Sequence, residues 1–408
     1  MTMSDSDDRG LVHNLAFAGA SGASAGLLLI LFVIAGRVLG REEFGKFSFA
    51  LALGTIFETL MDFGLHQVAI REVARDKSRA TTVLQHTLGI KLVWTSGGLL
   101  ALLIAATALR SEWDVRASCY LIGGALVARS FMFTIRGVLQ GLERFGWDSL
   151  VVLGDRVLLL LCGLAVLSAG GGLLALSTAF VLARGVAFVL GAWLTNAQLG
   201  GFAVRYDRET WRALQRSAVP FGVFLIVLNL YSYVDSVMLG VMRGDVETGI
   251  YGAAYKVYEG VGYLPSVIAS VLTPRLSRLF VSDRAGHRRL VVGSLAVTVS
   301  LAVLVAACGY WLAEPVMALL FGPSFIASAS PFRILCLGLA FVFAIWTLHA
   351  TAISANKERL LVRAALIGLC VNVLVNLYAI PRHGADGAAF ATVIGELVSL
   401  IVLVVGLV

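Results

Sequence analysis

Hydrophobic residues in this chain come in long blocks, and polar residues are confined to the short breaks between them. A helix needs about 20 mostly apolar residues to cross a bilayer. Twelve blocks approach or exceed that length: 14–38, 47–69, 83–108, 119–140, 150–169, 173–194, 220–240, 251–273, 291–312, 331–355, 361–380 and 387–408. The breaks are rich in glycine, proline or charge, as in "GREEFG", "SAGGG", "VMRGDVETG" and "RHGADG", which are residues that punctuate helices. No break is long enough to hold a folded domain outside the membrane. The pattern predicts an all-α polytopic membrane protein with twelve transmembrane helices.

Composition agrees with that reading and removes other classes. Hydrophobic residues make up 59% and charged residues 14%, against about 25% charged in soluble domains. The five cysteines (Cys119, Cys162, Cys308, Cys336, Cys370) lie in apolar runs without metal-ligand spacing, so they read as small buried hydrophobes. The acidic start "MTMSDSDDRG" lacks the basic leader of a cleavable signal. The six histidines are scattered, and neither HExxH, CxxC, a Walker sequence nor a Rossmann glycine pattern occurs. No catalytic residue, metal site, cofactor or nucleic-acid partner is therefore expected, and transport energy would come from an ion gradient or the substrate's own gradient.

Basic residues set the orientation. Loops after even-numbered helices carry Arg71, Arg75, Lys77, Arg79, Arg205, Arg208, Arg212, Arg216, Arg284, Arg288 and Arg289 among others, whereas those after odd-numbered helices carry few, such as Arg41, Lys46 and Arg243. The positive-inside rule then puts both termini in the cytoplasm, with the basic segments resting on anionic lipid headgroups. The polar stretch 196–219 divides the chain into a six-helix bundle at 1–195, a cytoplasmic linker and a second six-helix bundle at 220–408. The halves echo each other. "RVLGREEFGKFSF" is answered by "SVMLGVMRGDVETGIYGAAY", and "GGLLALSTAFVLARGV" by "GADGAAFATVIGELV". Such repeats imply two pseudo-symmetric halves related by an axis along the membrane normal.

Charges inside the blocks are the informative residues, because a charge at the bilayer centre costs at least about 2.5 kcal/mol and needs a partner or a wet cavity. Acids are Glu58, Asp62, Asp155, Asp235, Glu259 and Glu396; bases include Lys91, Arg129, Arg136, Arg156, Arg184 and Lys256. Arg129, Arg136 and Gln140 share one face of the fourth helix, and the neighbouring sequence offers few acids to match them. Structural ion pairing between helices is one account of these residues; a positively lined cavity that binds an anion is the other. Glu58 and Asp62 lie one turn apart, so one is expected to be protonated or paired with a cation. Lys256 and Glu259 can pair with each other. The run "GASGASAG" (19–26) has Gly22 and Gly26 at the spacing of a close helix contact. Tyr251, Tyr255 and Tyr258 recur at helical spacing, either as core or as a platform for sugar rings.

Three stretches carry a family resemblance: "RVLGREEFGKFSFALALGTIFETLMDFGLHQVAIREVAR", "VPFGVFLIVLNLYSYVDSVMLG…TGIYGAAYKVYEGVGYLPSVIASVLTPRLSRL" and "NVLVNLYAIPRHGADGAAFATVIGELV". They are similar, in order and over nearly the whole chain, to the polysaccharide (O-antigen) flippases of the multidrug/oligosaccharidyl-lipid/polysaccharide exporter superfamily. The resemblance implies a V-shaped lumen between two six-helix bundles. It also implies alternating-access transfer of undecaprenyl-pyrophosphate-linked oligosaccharide to the outer leaflet of the inner (plasma) membrane, with proton or sodium antiport. Partners would be the lipid-linked oligosaccharide, H+ or Na+, the bilayer and other polysaccharide-assembly proteins. The last block ends with the chain, so the thirteenth and fourteenth helices of the peptidoglycan-precursor flippases are not expected.

Under that resemblance the arginine stripe becomes a pyrophosphate site, since guanidinium forks bind phosphate oxygens in pairs. Arg129 and Arg136 are first candidates, Arg184 and Lys256 second, with Tyr255 and Tyr258 for the sugar. Asp62, Glu58 and Asp235 are candidates for ion coupling. Three rivals remain: a multidrug antiporter of the same superfamily, which a basic lumen suits less well; a membrane-embedded polymerase or glycosyl transferase; and a non-transporting envelope scaffold. The extracytoplasmic loop "AEPVMALLFGPSFIASAS" is short and mostly apolar, which counts against the enzyme.

Overall fold

The computed structural model describes the backbone of residues 3–199 and 203–407, with side chains from Gly22 onward except Gln198. Every regular element among the described residues is helical. In chain order they are α1 (Met3–Asp62), α2 (Leu65–Arg75), α3 (Ala80–Leu109), α4 (Trp113–Gly141), α5 (Phe145–Ser168), α6 (Leu173–Leu199), α7 (Arg208–Met242), α8 (Asp245–Ser282), α9 (Arg284–Trp311), α10 (Ala313–Phe321), α11 (Ala329–Ser354) and α12 (Glu358–Leu407). Helices satisfy their own backbone hydrogen bonds, which hydrocarbon cannot do.

Among the described residues, ten helical stretches are long and apolar enough to span a bilayer, so this is a multi-pass membrane protein. The number falls below the expected twelve because two breaks read as loops are kinks inside continuous helices. α12 runs for 50 residues, about 75 Å at 1.5 Å per residue, more than twice the hydrocarbon thickness. Its helix is interrupted at Gly384 (φ 53°, ψ −127°), within "RHGADG". α1 is interrupted in the same way at Gly40 (φ 74°, ψ 178°), the first residue of "GREEFG". Both backbones are ones that glycine adopts without steric cost.

Contacts sort the chain into two compact units. One holds the residues up to Leu31 together with Ala50–Asn229; the other holds Phe32–Phe49 together with Leu230 onward. In the first unit α4 packs on α2, α3, α5 and α6. Met132, Ile135, Leu139, Val151 and Ala187 form the core where α4, α5 and α6 meet. α7 begins at Arg208, so residues 208–219 are helical. Asp207 caps that end by accepting the Thr210 N–H at 2.8 Å, and its hydrogen bonds from Thr210 hold its carboxyl below the usual carboxylate range. The stretch 196–219 expected as a linker includes 200–202, which lie outside the described residues.

In the second unit α11 is central, against α8, α9 and α12. Phe321 and Phe325, from α10 and the turn after it, set their rings 5.9 Å and 5.8 Å from Phe44 of α1. α1 and α8 meet through backbone at Gly45 and Gly249, where a Cβ on either would run into main-chain atoms of the other helix.

The close contact expected at Gly22 and Gly26 is not formed: a Cβ there would meet nothing within 4 Å, and both glycines are exposed. The buried position on this turn is Ser24, so the inward face runs beside the glycines rather than through them. Residues 19–21 of the same run lie outside the described side chains. These two environments predict opposite outcomes. Gly249→Ala should destabilise the protein by about 1–3 kcal/mol, whereas Gly22→Ala should leave the thermal unfolding temperature in detergent unchanged or slightly raised. Equal effects would contradict the packing described.

Candidate functional site

The membrane-embedded charges of the first unit form one connected set. Arg129 of α4 binds Glu58 of α1 with both nitrogens of its fork, Nε to Oε1 at 2.6 Å and Nη2 to Oε2. One turn along α1, Asp62 pairs with Lys91 of α3, which is 0% exposed. Arg136 binds Asp148 of α5 through Nε at 2.7 Å and Nη2 at 3.3 Å, and Gln140 donates to the same carboxylate at 2.9 Å. The neighbouring helices therefore do supply acids for both arginines, correcting the sequence expectation. Asp148 went unnoticed because it lies in the break just before the fifth block (150–169), and its burial becomes apparent only when α4 and α5 pack. Glu58 and Asp62 avoid mutual repulsion because each has its own cation.

A fourth arginine is left over. Arg156 lies 3.5 Å from Asp155 on α5. Arg184 of α6 is 2% exposed, and its Nε and Nη1 have no hydrogen-bond partner. Its electrostatic surroundings are Asp155, Arg129, Arg156 and Glu58. Four guanidinium groups thus stand against the three carboxylates of Glu58, Asp148 and Asp155. Such a set can take an anion, because buried guanidinium donors without partners carry a desolvation cost that an anion's oxygens would relieve.

The second unit has the opposite arrangement. Asp235 of α7 is 1% exposed, and its partners are all neutral. Tyr251 Oη and Thr392 Oγ1 donate to Oδ2 at 3.0 Å and 2.6 Å, and Asn376 Nδ2 donates to Oδ1 at 2.5 Å. Asn376 also donates to Asn372 at 3.0 Å, and its own Oδ1 has no partner. Nearby, the Tyr258 hydroxyl donates to Glu396. Lys256 binds Glu259 at 2.7 Å, as its spacing predicts, and lies 4.7 Å from the Phe32 ring centroid. Tyr255 bridges the ring series, 5.5 Å from Tyr251 and 6.0 Å from Tyr258. The hydroxyls of Tyr251 and Tyr258 therefore serve the acids.

Residues 14–280 match the family described as polysaccharide biosynthesis protein. The chain belongs to this family. The probable low-salt glycan biosynthesis flippase Agl15 of Haloferax volcanii is 22% identical to it over 92% of this chain and 79% of that protein. Among solved structures, the lipid II flippase MurJ in an inward closed conformation superposes with a TM-score of 0.76 at 14% identity, covering 96% of this chain and 87% of that one. A multidrug resistance MATE family transporter of the MOP superfamily, inward-facing, gives a TM-score of 0.74 at 14% identity over 97% and 96% of the two chains. The fold is shared with both.

The structure places Arg129, Arg136, Arg184, Glu58 and Asp62 in one unit, where Arg129 and Glu58 bind each other, and Asp235, Tyr255, Tyr258 and Lys256 in the other. Sequence reasoning missed Asn372, Asn376 and Thr392, whose signal was the i, i+4 spacing of two asparagines in an apolar block. The Lys91–Asp62 pair gives a direct test of the geometry. Lys91→Met should cost about 3–5 kcal/mol by stranding a buried carboxylate. Lys91→Met combined with Asp62→Leu should recover most of that loss in thermal unfolding. Additive losses would show that the two side chains do not interact.

Proposed function

We propose that this protein is a flippase moving polyprenyl-pyrophosphate-linked oligosaccharide to the outer leaflet by alternating access. In this reading the chain makes twelve crossings, with α1 and α12 each folded back at its glycine kink, and both termini are cytoplasmic. The observation that carries the cargo assignment is the surplus arginine of the first unit. Arg184 has unpartnered donors beside Arg129 and Arg156, and a pyrophosphate supplies the oxygens and charge that this set lacks. Buried cationic donors suit an anionic lipid better than the cationic cargo of a drug exporter. Family membership and the Haloferax relative's name support glycan transfer.

Ion coupling belongs with Asp235 rather than with Glu58 or Asp62. The latter two are neutralised by Arg129 and Lys91, whereas Asp235 is held by neutral groups only. Its carboxylate, the amide oxygens of Asn372 and Asn376 and the Thr392 hydroxyl are hard donors that suit a sodium ion or a proton.

The test is transfer of a fluorescent polyprenyl-pyrophosphate sugar in proteoliposomes, read with a membrane-impermeant quencher. Removing Arg129 or Arg136 would strand a buried acid and confound activity with folding, so the informative variant is Arg184→Gln. It should lower the initial rate about ten-fold or more, the worth of one or two charge-assisted hydrogen bonds, with unchanged thermal unfolding. Asp235→Asn should abolish the response of the rate to an imposed sodium or pH gradient. Wild-type rates in Arg184→Gln would remove the headgroup assignment, and an unaltered gradient response would remove Asp235 from coupling.

A further inference from the structure

The second unit buries another acid for which the Asp235 assignment has no use. Glu396 of α12 is 5% exposed. Its Oε1 accepts the hydroxyl of Tyr258, and its Oε2 has no hydrogen-bond partner. No lysine or arginine among the described residues pairs with it. The titratable groups facing it are Tyr255 and Tyr258 of α8 and Tyr231 and Asp235 of α7, none of them cationic. From α11 it meets the bare backbone of Gly338, where an added Cβ would stand 2.5 Å from Oε2.

The two acids are solvated differently. Asp235 receives three donors, which suits an ionised carboxylate. Glu396 receives one, so its ionised form would keep a buried oxygen without hydrogen bond or cation. A buried carboxyl in that setting discharges by taking up a proton rather than carrying the cost of an unpaired ion. A metal cation needs several oxygens converging on one centre; a proton needs only Oε2.

We propose that Glu396 is a proton-binding site, separate from the Asp235 ion site and coupled to it by charge. On loading, Oε2 takes a proton from water to give the neutral acid, while Oε1 keeps the Tyr258 hydrogen bond. On unloading, the proton returns to water and leaves a carboxylate beside Asp235, so proton departure from Glu396 favours cation arrival at Asp235. Gly338 provides the room for the protonated oxygen. This inference rests on the transport reading only for the use made of the proton, since the site itself is defined by geometry.

The experiment is infrared difference spectroscopy of the purified full-length protein in liposomes across a pH ramp, with no glycolipid present. The wild type should show a carboxylic-acid C=O band at the high frequency of a sparsely hydrogen-bonded acid. Carbon-13 glutamate labelling should move that band and carbon-13 aspartate labelling should not, a result that depends on no substitution. Glu396→Gln should remove the band, Tyr258→Phe should shift it, and Asp235→Asn should leave it in place. A band moved by the aspartate label, or unaffected by Glu396→Gln, would overturn the proposal, as would absence of any such band. Glycolipid transfer is scored separately in the same liposomes. An intact Glu396 band without transfer would sink the flippase reading alone, and transfer without the band would sink the proton site alone.

Discussion

A charge withdrawn into hydrocarbon must find an opposite charge, a set of hydrogen bonds or a proton, because the cost of leaving it bare exceeds what most other contacts return. The first unit is organised around that requirement. Arg129 ties α4 to α1, Lys91 ties α3 to the same helix, and Arg136 ties α4 to α5. Each pair fixes the rotation of two helices about their long axes. Apolar packing alone specifies this weakly, since lipid tails are as greasy as leucine.

The requirement is met unevenly, and the imbalance has opposite sign in the two units. In the first, Arg184 keeps donors with no acceptor. In the second, Asp235 and Glu396 are buried with neutral partners. A structural ion-pair network would be expected to close on itself. Open positions of this kind are what the proposed transport of an anionic cargo and a small cation rests on.

Glycine works against charge in the economy of the fold. The helix contact at Gly45 and Gly249 brings backbones together without side chains, and Gly40 and Gly384 break helices that would otherwise exceed the bilayer. The glycines of "GASGASAG" show that spacing alone does not create such a contact, because Gly22 and Gly26 face open space.

The sequence by itself determined the class of the protein. Blocks of apolar residues admit only membrane helices, and the three matching stretches carried the family. It also singled out charged residues that the structure buries, such as Glu58, Asp62, Arg184 and Asp235, since a charge inside an apolar block announces itself. Partners were another matter. Glu58 and Arg129 are 71 residues apart and Asp235 and Thr392 are 157 apart, so only packing could reveal that the arginine stripe has acids and that Asp235 has a cage. Tertiary structure likewise moved residues 32–49 into the unit formed by the second half of the chain. The physical reason is range. Hydropathy is a local property legible within one helix, whereas the neutralisation of a buried charge is decided by whichever helix the fold brings alongside.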